Sequence, residues 1–192
     1  MDIGPDDVLA WWFDAGDDPQ KRWFVRSDAV DAEIRDRFGD VWEKAAGGEL
    51  DSWADTPRGR LALIVVLDQL SRNLHRDSPV AYRQDARARA LAEDAIARGW
   101  DAQLAPFERA FLYMPLMHAE DLAAQELSVA KFEALAAEQP ADRRAPFESF
   151  ADYARKHRDV IARFGRFPHR NAELGRDTTD AERAFLATGR GF

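Results

Sequence analysis

Hydrophobic residues recur every three or four positions along most of the chain, which is the spacing of one face of an α-helix. After Ser27, an expected N-cap, this stripe consists of Val30, Ile34, Phe38, Val41, Trp42 and Ala45. A second stripe, before residue 165, consists of Phe147, Phe150, Ala154, His157, Ile161 and Phe164. Signals for strands are scarce, so the pattern predicts an all-α fold.

Prolines and cap residues mark where the helices should begin and end. The predicted starts are Pro5, Ser27, Pro57 after Thr56, Pro79 after Ser78, Pro106, and positions near 120 and 146. Thr179 and Glu182 have the spacing of a capping box before a short last helix. We expect the first helix to close at Gly16 and the helix from Pro106 to end at Pro115, because proline lacks the N–H that a helix interior uses.

The run from Leu61 to Leu67 is apolar on nearly all sides. Its composition would also suit a buried strand, but the leucine spacing continues to Leu74 at helical intervals, and the segment is longer than a typical strand. We therefore predict a central, buried helix.

The chain has 192 residues and no glycine- or serine-rich linker, which fits a single all-helical domain over residues 1–192. Short turns between the helices favour stacked antiparallel pairs. No strict internal repeat is visible, so the sequence leaves a helical solenoid open without demonstrating one.

Composition excludes several classes of function. The chain contains no cysteine, which rules out disulfides, thiolate metal sites and cysteine nucleophiles. The acidic N-terminus lacks the features of a signal peptide, and the run Leu61 to Leu67 is too short to span a membrane, so we expect a cytoplasmic protein without membrane partners. A net charge of −8 argues against nucleic-acid binding.

Polar residues stand where the central helix should be apolar. The helix ends in LDQLSRN, in which Asp68 and Arg72, and likewise Gln69 and Asn73, are four positions apart and share a face. Buried charges need partners. These residues therefore form either a buried ion pair with two amides or one wall of a pocket.

Three histidines are candidates for the other walls of such a pocket. His157 lies within the second apolar stripe, where a lone histidine is usually a core residue. His118 and Glu120 follow the expected break at Pro115. His169 lies in the motif FGRFPHRN.

The motif FGRFPHRN also lies in a locally basic part of an acidic chain. Residues 155–176 contain seven lysines and arginines against two acidic residues, which describes either a solvated helix face or a site for a small anion. Gly165 and Pro168 predict a rigid turn after the helix. From this turn would project Arg166, His169, Arg170 and Asn171.

We predict no metal and no cofactor. Histidines together with Glu120 or Asp68 are ligand types that zinc, iron or manganese accept, but no HExxH pattern occurs. Glycine-rich phosphate loops and the nucleophile elbow of serine hydrolases are absent as well.

The motifs LDQLSRN, FLYMPLMHAEDL and FGRFPHRN, in this order, resemble a bacterial family known as domain of unknown function 924. VLAWWF near the N-terminus and the last capping box agree, so the resemblance covers almost the whole chain. It implies a compact superhelix of helix pairs similar to tetratricopeptide repeats, and it implies no reaction. The family positions that it carries over are Asp68, Gln69, Arg72, Asn73, His118, Glu120, Gln125, Arg166, His169, Arg170 and Asn171.

Three hypotheses follow. In the first, the polar motifs line a pocket for a small anionic ligand or an acidic chain terminus, bound by Arg72, Arg166 and Arg170 and oriented by Gln69, Asn73 and Asn171. In the second, the protein is a hydrolase in which His118 or His169 transfers protons, tuned by Asp68 or Glu120. In the third, the motifs form a buried structural network, and an apolar surface serves a protein partner or a homodimer.

Overall fold

A computed structural model describes residues 3–14 and 19–189, and all regular elements in these ranges are helical. The all-α prediction is therefore confirmed. The α-helices are α1 (Pro5–Phe13), α2 (Pro19–Phe24), α3 (Asp28–Ala46), α4 (Pro57–Ile64), α5 (Ser71–Leu74), α6 (Asp85–Ala97), α7 (Pro106–Met117), α8 (Leu122–Ala137), α9 (Ala145–Phe164) and α10 (Asp180–Leu186). A π-helical segment, Val65–Leu70, joins α4 to α5, and short 3-10 turns cover Asp51–Asp55, Pro79–Tyr82, Asp101–Gln103 and Pro168–Arg170.

The chain divides into two compact units. Unit 1 comprises Met1–Arg76 and Val80–Pro115, and unit 2 comprises Asp77–Pro79 and Leu116–Phe192. The prediction of one domain over residues 1–192 stays a prediction.

The central helix of unit 1 is buried, as its composition predicts. Every residue from Leu61 to Leu67 is at most 1% exposed. The helix α4 packs against α1 and α6, and the π segment packs against α3 and α6. Because this helix has neighbours on several sides, an all-round apolar sequence is what it requires.

Two helices form the body of unit 2. The helices α8 and α9 pack along each other, with Phe132 stacked on Phe150 at 5.8 Å between ring centroids. Arg158 of α9 donates to Glu126 of α8 at 3.1 Å. Residues early in α8 therefore lie beside residues late in α9, so the pair is antiparallel, as short connections predict.

The motif FGRFPHRN forms the predicted turn. The helix α9 ends at Phe164, and Gly165 follows with φ of 71°, a left-handed conformation that glycine adopts at little cost. Phe167 is extended at φ −89° and ψ 107°, as its position before a proline requires. The capping box of Thr179 and Glu182 is present at the start of α10.

Some expected boundaries are wrong. Pro115 does not end its helix but lies inside α7, which runs to Met117. The neighbours Phe111, Leu112 and Leu116 are completely buried, and this packing outweighs the cost of one missing N–H so near the helix end.

Other boundaries also differ from the sequence prediction. Pro79 begins only a 3-10 turn, and the helix expected there starts at Asp85. The short helix α2 was not predicted, and Gly16 lies outside the described residues. Across the part of the chain that the structure describes, no helix combines the length and the apolar character needed to cross a membrane.

Two glycines test the packing of unit 1. A Cβ on Gly59 would lie 2.2 Å from the carbonyl oxygen of Trp53, whereas a Cβ on Gly39 would meet nothing within 4 Å. We expect Gly59→Ala to lower the free energy of unfolding by about 2 kcal/mol, because backbone must move. Gly39→Ala, inside α3, should raise it by about 0.5–1 kcal/mol, because alanine favours the helix. Urea titration of both variants checks this, and equal stability of the two would contradict the packing.

Candidate binding site

The ring of Phe167 is the centre of a cluster in unit 2. The rings of His157 and His169 lie 5.5 and 5.6 Å from it, measured between centroids. The guanidinium carbon of Arg170 lies 4.6 Å from the same centroid, a cation–π contact. The ring of His118 lies 6.4 Å from that of His157. We call His118, His157, His169 and Arg170 the histidine–arginine cluster.

The cluster combines three stretches of the chain. His118 follows α7, His157 projects from α9, and His169 and Arg170 lie in the 3-10 turn Pro168–Arg170. Phe167 and Arg170 are 0% and 6% exposed, whereas His118 and His169 are partly exposed. The cluster therefore has a buried base and a side that reaches solvent.

The carbonyl groups at and just after the end of α7 position two of the polar side chains. Arg170 donates from Nη2 to the carbonyl of His118 at 3.0 Å. Gln125 of α8 donates from Nε2 to the carbonyls of Met117 and Ala119, at 2.6 and 2.8 Å. These bonds satisfy carbonyls that the end of a helix leaves without intrahelical partners.

Glu120 anchors the turn that carries His169 and Arg170. Its carboxylate accepts the Phe167 N–H at 2.7 Å and a two-pronged ion pair from Arg176 at 2.7 and 3.0 Å. Burial alone would raise the pKa of Glu120, but the bonds from Arg176 and the Phe167 N–H outweigh it and lower the pKa. Glu120 is therefore a charged anchor.

His157 is a neutral hydrogen-bonding group. It is 8% exposed, and its Nδ1 lies 2.8 Å from the carbonyl of Tyr153, so Nδ1 carries the proton and donates it. Burial is the main cause that lowers its pKa to about 3, and the neighbouring His118, Arg170 and His169 lower it further. His157 therefore stays uncharged near neutral pH.

Two other residues of the turn have partners of their own. Arg166 forms a two-pronged ion pair with Glu182 at 2.6 and 2.9 Å and donates to the carbonyl of Asp177. Asn171 is completely buried, and its amide donates to Thr178 at 3.4 Å. Arg166 therefore holds α10 to the turn.

In unit 1, the residues of LDQLSRN form a separate network. Asp68 is completely buried and pairs with Arg72 at 3.0 Å, as their spacing predicts. Arg72 also donates to both carboxylate oxygens of Asp85 at 3.1 Å. Gln69 donates to Asp68 at 2.5 Å.

Asn73 belongs to a second contact in unit 1. Its amide donates to Asp31 of α3 at 2.8 Å, and Arg76 pairs with the same carboxylate. Burial raises the pKa of Asp31, but the bonds from Arg76 and Asn73 outweigh it and lower the pKa. The contact ties the end of α5 to the start of α3.

The predicted site residues thus fall into one group in each unit. The group in unit 1 is Asp68, Gln69, Arg72 and Asn73, and the group in unit 2 is His118, Glu120, His157, Arg166, His169, Arg170 and Asn171. The central position of the Phe167 ring and the ion pairs of Arg176 and Asp85 are not predicted from the sequence. The basic segment hinted at Arg176, whereas nothing near Asp85 in the sequence marks it.

Two further observations bear on what the chain can bind. Among the described residues, no group of three or more histidines, cysteines or acidic residues is placed to share a metal ion. A surface cleft of about 460 Å³ lies at the starts of α1 and α4, lined by Pro5, Asp6, Thr56, Pro57, Arg58, Gly59 and Gln103. None of the predicted site residues lines this cleft.

Comparisons with known proteins agree with the resemblance seen in the motifs. Residues 8–190 match the family model described as "Bacterial protein of unknown function (DUF924)". A solved structure of a protein of unknown function, ATU0120 from Agrobacterium tumefaciens, is 38% identical, with a TM-score of 0.83. The similarity covers 95% of this chain and 96% of that one. None of the curated proteins matches this sequence. Since the family model spans nearly the whole sequence, the chain belongs to the DUF924 family of bacterial proteins.

Proposed function

We propose that the protein binds a small anion, or the acidic end of a chain, at the histidine–arginine cluster. The observation that carries the proposal is the gathering of His157, His169 and Arg170 around Phe167, with His118 beside His157. A guanidinium offers carboxylate or phosphate oxygens several N–H donors in a fixed plane, and His118 and His169 can each donate a ring N–H. The N–H of His157 already donates to the Tyr153 carbonyl, so His157 shapes the site without binding the anion.

The electrostatics of the cluster support an anion. The charged neighbours that lower the pKa of His157 are His118, Arg170 and His169, which are cationic or become so on protonation. Near His157, Arg170 and the protonated forms of His118 and His169 favour negative charge. Because His118 and His169 are partly exposed, a ligand can approach from solvent on their side.

The arginines differ in their suitability for this role. Arg166 is paired with Glu182, and Arg72 is paired with Asp68 and Asp85. An anion would have to compete with these carboxylates. We assign anion binding to Arg170, with His118 and His169, because these residues belong to the cluster around Phe167 and His157.

A hydrolase that uses histidine and carboxylate groups is less well supported. A base whose conjugate acid has a pKa of about 3, as His157 has, accepts protons poorly at neutral pH. Glu120 is held in its charged form by Arg176 and the Phe167 N–H, so it is a poor proton donor. Acid–base chemistry would have to depend on His118 and His169 alone.

For the residues of unit 1 we propose a structural role. Asp68, Gln69, Arg72 and Asp85 satisfy one another across the π segment and the start of α6. Buried networks of this kind fix the arrangement of helices. Localisation in the cytoplasm and the absence of nucleic-acid and membrane partners remain part of the proposal. A protein partner or homodimer remains the alternative to a small ligand.

Anion binding is tested with Arg170→Ala and with Arg158→Ala, a surface arginine of α9, as control. The thermal-shift screen contains phosphate, small carboxylates and an acidic peptide. An anion that binds should stabilise the wild type by about 2.7 kcal/mol when its concentration is about a hundred times its dissociation constant. Arg158→Ala should keep this response and Arg170→Ala should lose it while remaining folded by circular dichroism. An Arg170→Ala protein that binds as well as the wild type would refute the assignment.

The burial of His157 predicts a pH dependence of stability. Between pH 6.5 and the native pKa of about 3, the unfolded chain binds a proton at His157 that the folded chain does not, so stability falls as pH falls. From pH 7 to pH 5, His157 alone should cost about 2 kcal/mol. In His157→Phe the loss between these two pH values, measured by urea titration, should shrink by this amount. An unchanged loss would show that His157 titrates normally.

The structural role of Asp68 predicts a large loss of stability. Asp68→Ala removes the carboxylate that Arg72 and Gln69 face in the interior, and we expect a cost of about 3–5 kcal/mol. Asp36→Ala, an exposed aspartate of α3, is the matched control and should change stability by less than about 0.5 kcal/mol. If chemical denaturation finds the two variants equally stable, the network does not stabilise the fold.

A further inference from the structure

Two polar atoms on one face of α8 have no hydrogen-bond partner among the described residues. They are Oε1 of Gln125 and Oγ of Ser128, and both side chains are completely buried. Residues three positions apart share a helix face, so the two atoms lie one turn apart. Buried polar groups are almost always satisfied, which makes such a pair notable.

The orientation of Gln125 is fixed by its other bonds. Its Nε2 donates to two backbone carbonyls, those of Met117 and Ala119. A flipped amide would set its oxygen against two acceptors, so the assignment of oxygen and nitrogen is secure. The remaining atom, Oε1, can only accept, whereas the hydroxyl of Ser128 can donate or accept.

The pair lies beside the histidine–arginine cluster. Gln125 binds the carbonyls of residues 117 and 119, and Arg170 binds the carbonyl of residue 118 between them. Consecutive residues are about 3.8 Å apart, so the amide of Gln125 and the guanidinium of Arg170 are within about 10 Å of each other. A single small molecule can span this distance.

A hydroxyl group suits the pair better than other groups do. One hydroxyl can donate to Oε1 of Gln125 and accept from Ser128, whereas an ammonium can only donate. An ammonium would also be repelled by Arg170 and by protonated His118 or His169. A bare aliphatic chain would leave both buried atoms unsatisfied.

We infer that the ligand is a hydroxylated anion, with its charged group at Arg170 and a neutral hydroxyl between Gln125 and Ser128. The inference rests on the proposed function and names the class of ligand. In a 3-hydroxycarboxylate the hydroxyl lies about 4 Å from the carboxylate, and two hydrogen bonds of about 2.8 Å extend this to about 9–10 Å. That span does not exceed the upper limit of about 10 Å on the separation of Gln125 and Arg170.

The test compares three probes of one skeleton, butyrate, 3-hydroxybutyrate and 3-aminobutyrate, titrated calorimetrically into the full chain at pH 7. We expect 3-hydroxybutyrate to bind about tenfold more tightly than butyrate, because a site with buried polar groups discriminates against an analogue that lacks the partner. 3-Aminobutyrate should bind no more tightly than butyrate.

The variant Ser128→Ala isolates the hydroxyl contact, with Ser149→Ala, an exposed serine of α9, as control. Ser128→Ala should fold, because it removes a buried hydroxyl that makes no bond to the described residues. It should reduce the preference for 3-hydroxybutyrate to less than about threefold and leave butyrate affinity unchanged. Ser149→Ala should keep the full preference.

Each result bears on one of the two proposals. Equal binding of butyrate and 3-hydroxybutyrate to the wild type, or a full preference in Ser128→Ala, would overturn the hydroxyl inference and leave anion binding standing. If no carboxylate binds the wild type although phosphate or an acidic peptide does, the hydroxycarboxylate inference fails and anion binding stands. If none of these anions binds, both proposals fail. Loss of both probes in Arg170→Ala would support the charged end of the site.

Discussion

The carboxylate of Glu120 is the contact on which the candidate site depends. It holds a backbone N–H at Phe167 and the side chain of Arg176, and so fixes both ends of the turn that carries His169 and Arg170. Three hydrogen bonds to one charged group are strong because the group is partly withdrawn from water. This anchor holds the backbone of Phe167, whose ring contacts His157, His169 and Arg170.

Much of the fold was predictable because helix boundaries depend on local chemistry. Ser27, Thr56 and Thr179 cap helices through their own side chains, and glycine at 165 adopts the left-handed conformation that ends α9. The effect of Pro115 depends on the burial of α7, which comes from contacts with distant parts of the chain such as that of Phe111 with Trp12. The π-helical segment Val65–Leu70 is likewise not predicted, because no local sequence pattern distinguishes it from an α-helix.

The site was predictable only as a list of residues. Histidine in an apolar stripe and arginine after a helix are visible in the sequence, but the partner of each depends on tertiary structure. Arg166 and Arg170, four positions apart, illustrate this: Arg166 is paired with Glu182, and Arg170 stacks on Phe167. No rule of spacing distinguishes them. The ion pairs of Asp85 with Arg72 and of Arg176 with Glu120 are not predicted because the partners are more than ten positions apart in sequence.

The π segment Val65–Leu70 lets unit 1 absorb a change in chain length beside its buried polar network. A π turn holds more residues than an α turn but covers the same full rotation, so a helix can lose one residue there and remain a helix. A deletion at Val65 or Val66 that converts the π turn into an α turn would leave Arg72 on nearly the same side of the helix, where Asp85 is its partner. The same deletion within the regular helix α3 would rotate everything beyond it by about 100°. A related sequence that is one residue shorter just before LDQLSRN can therefore keep the network.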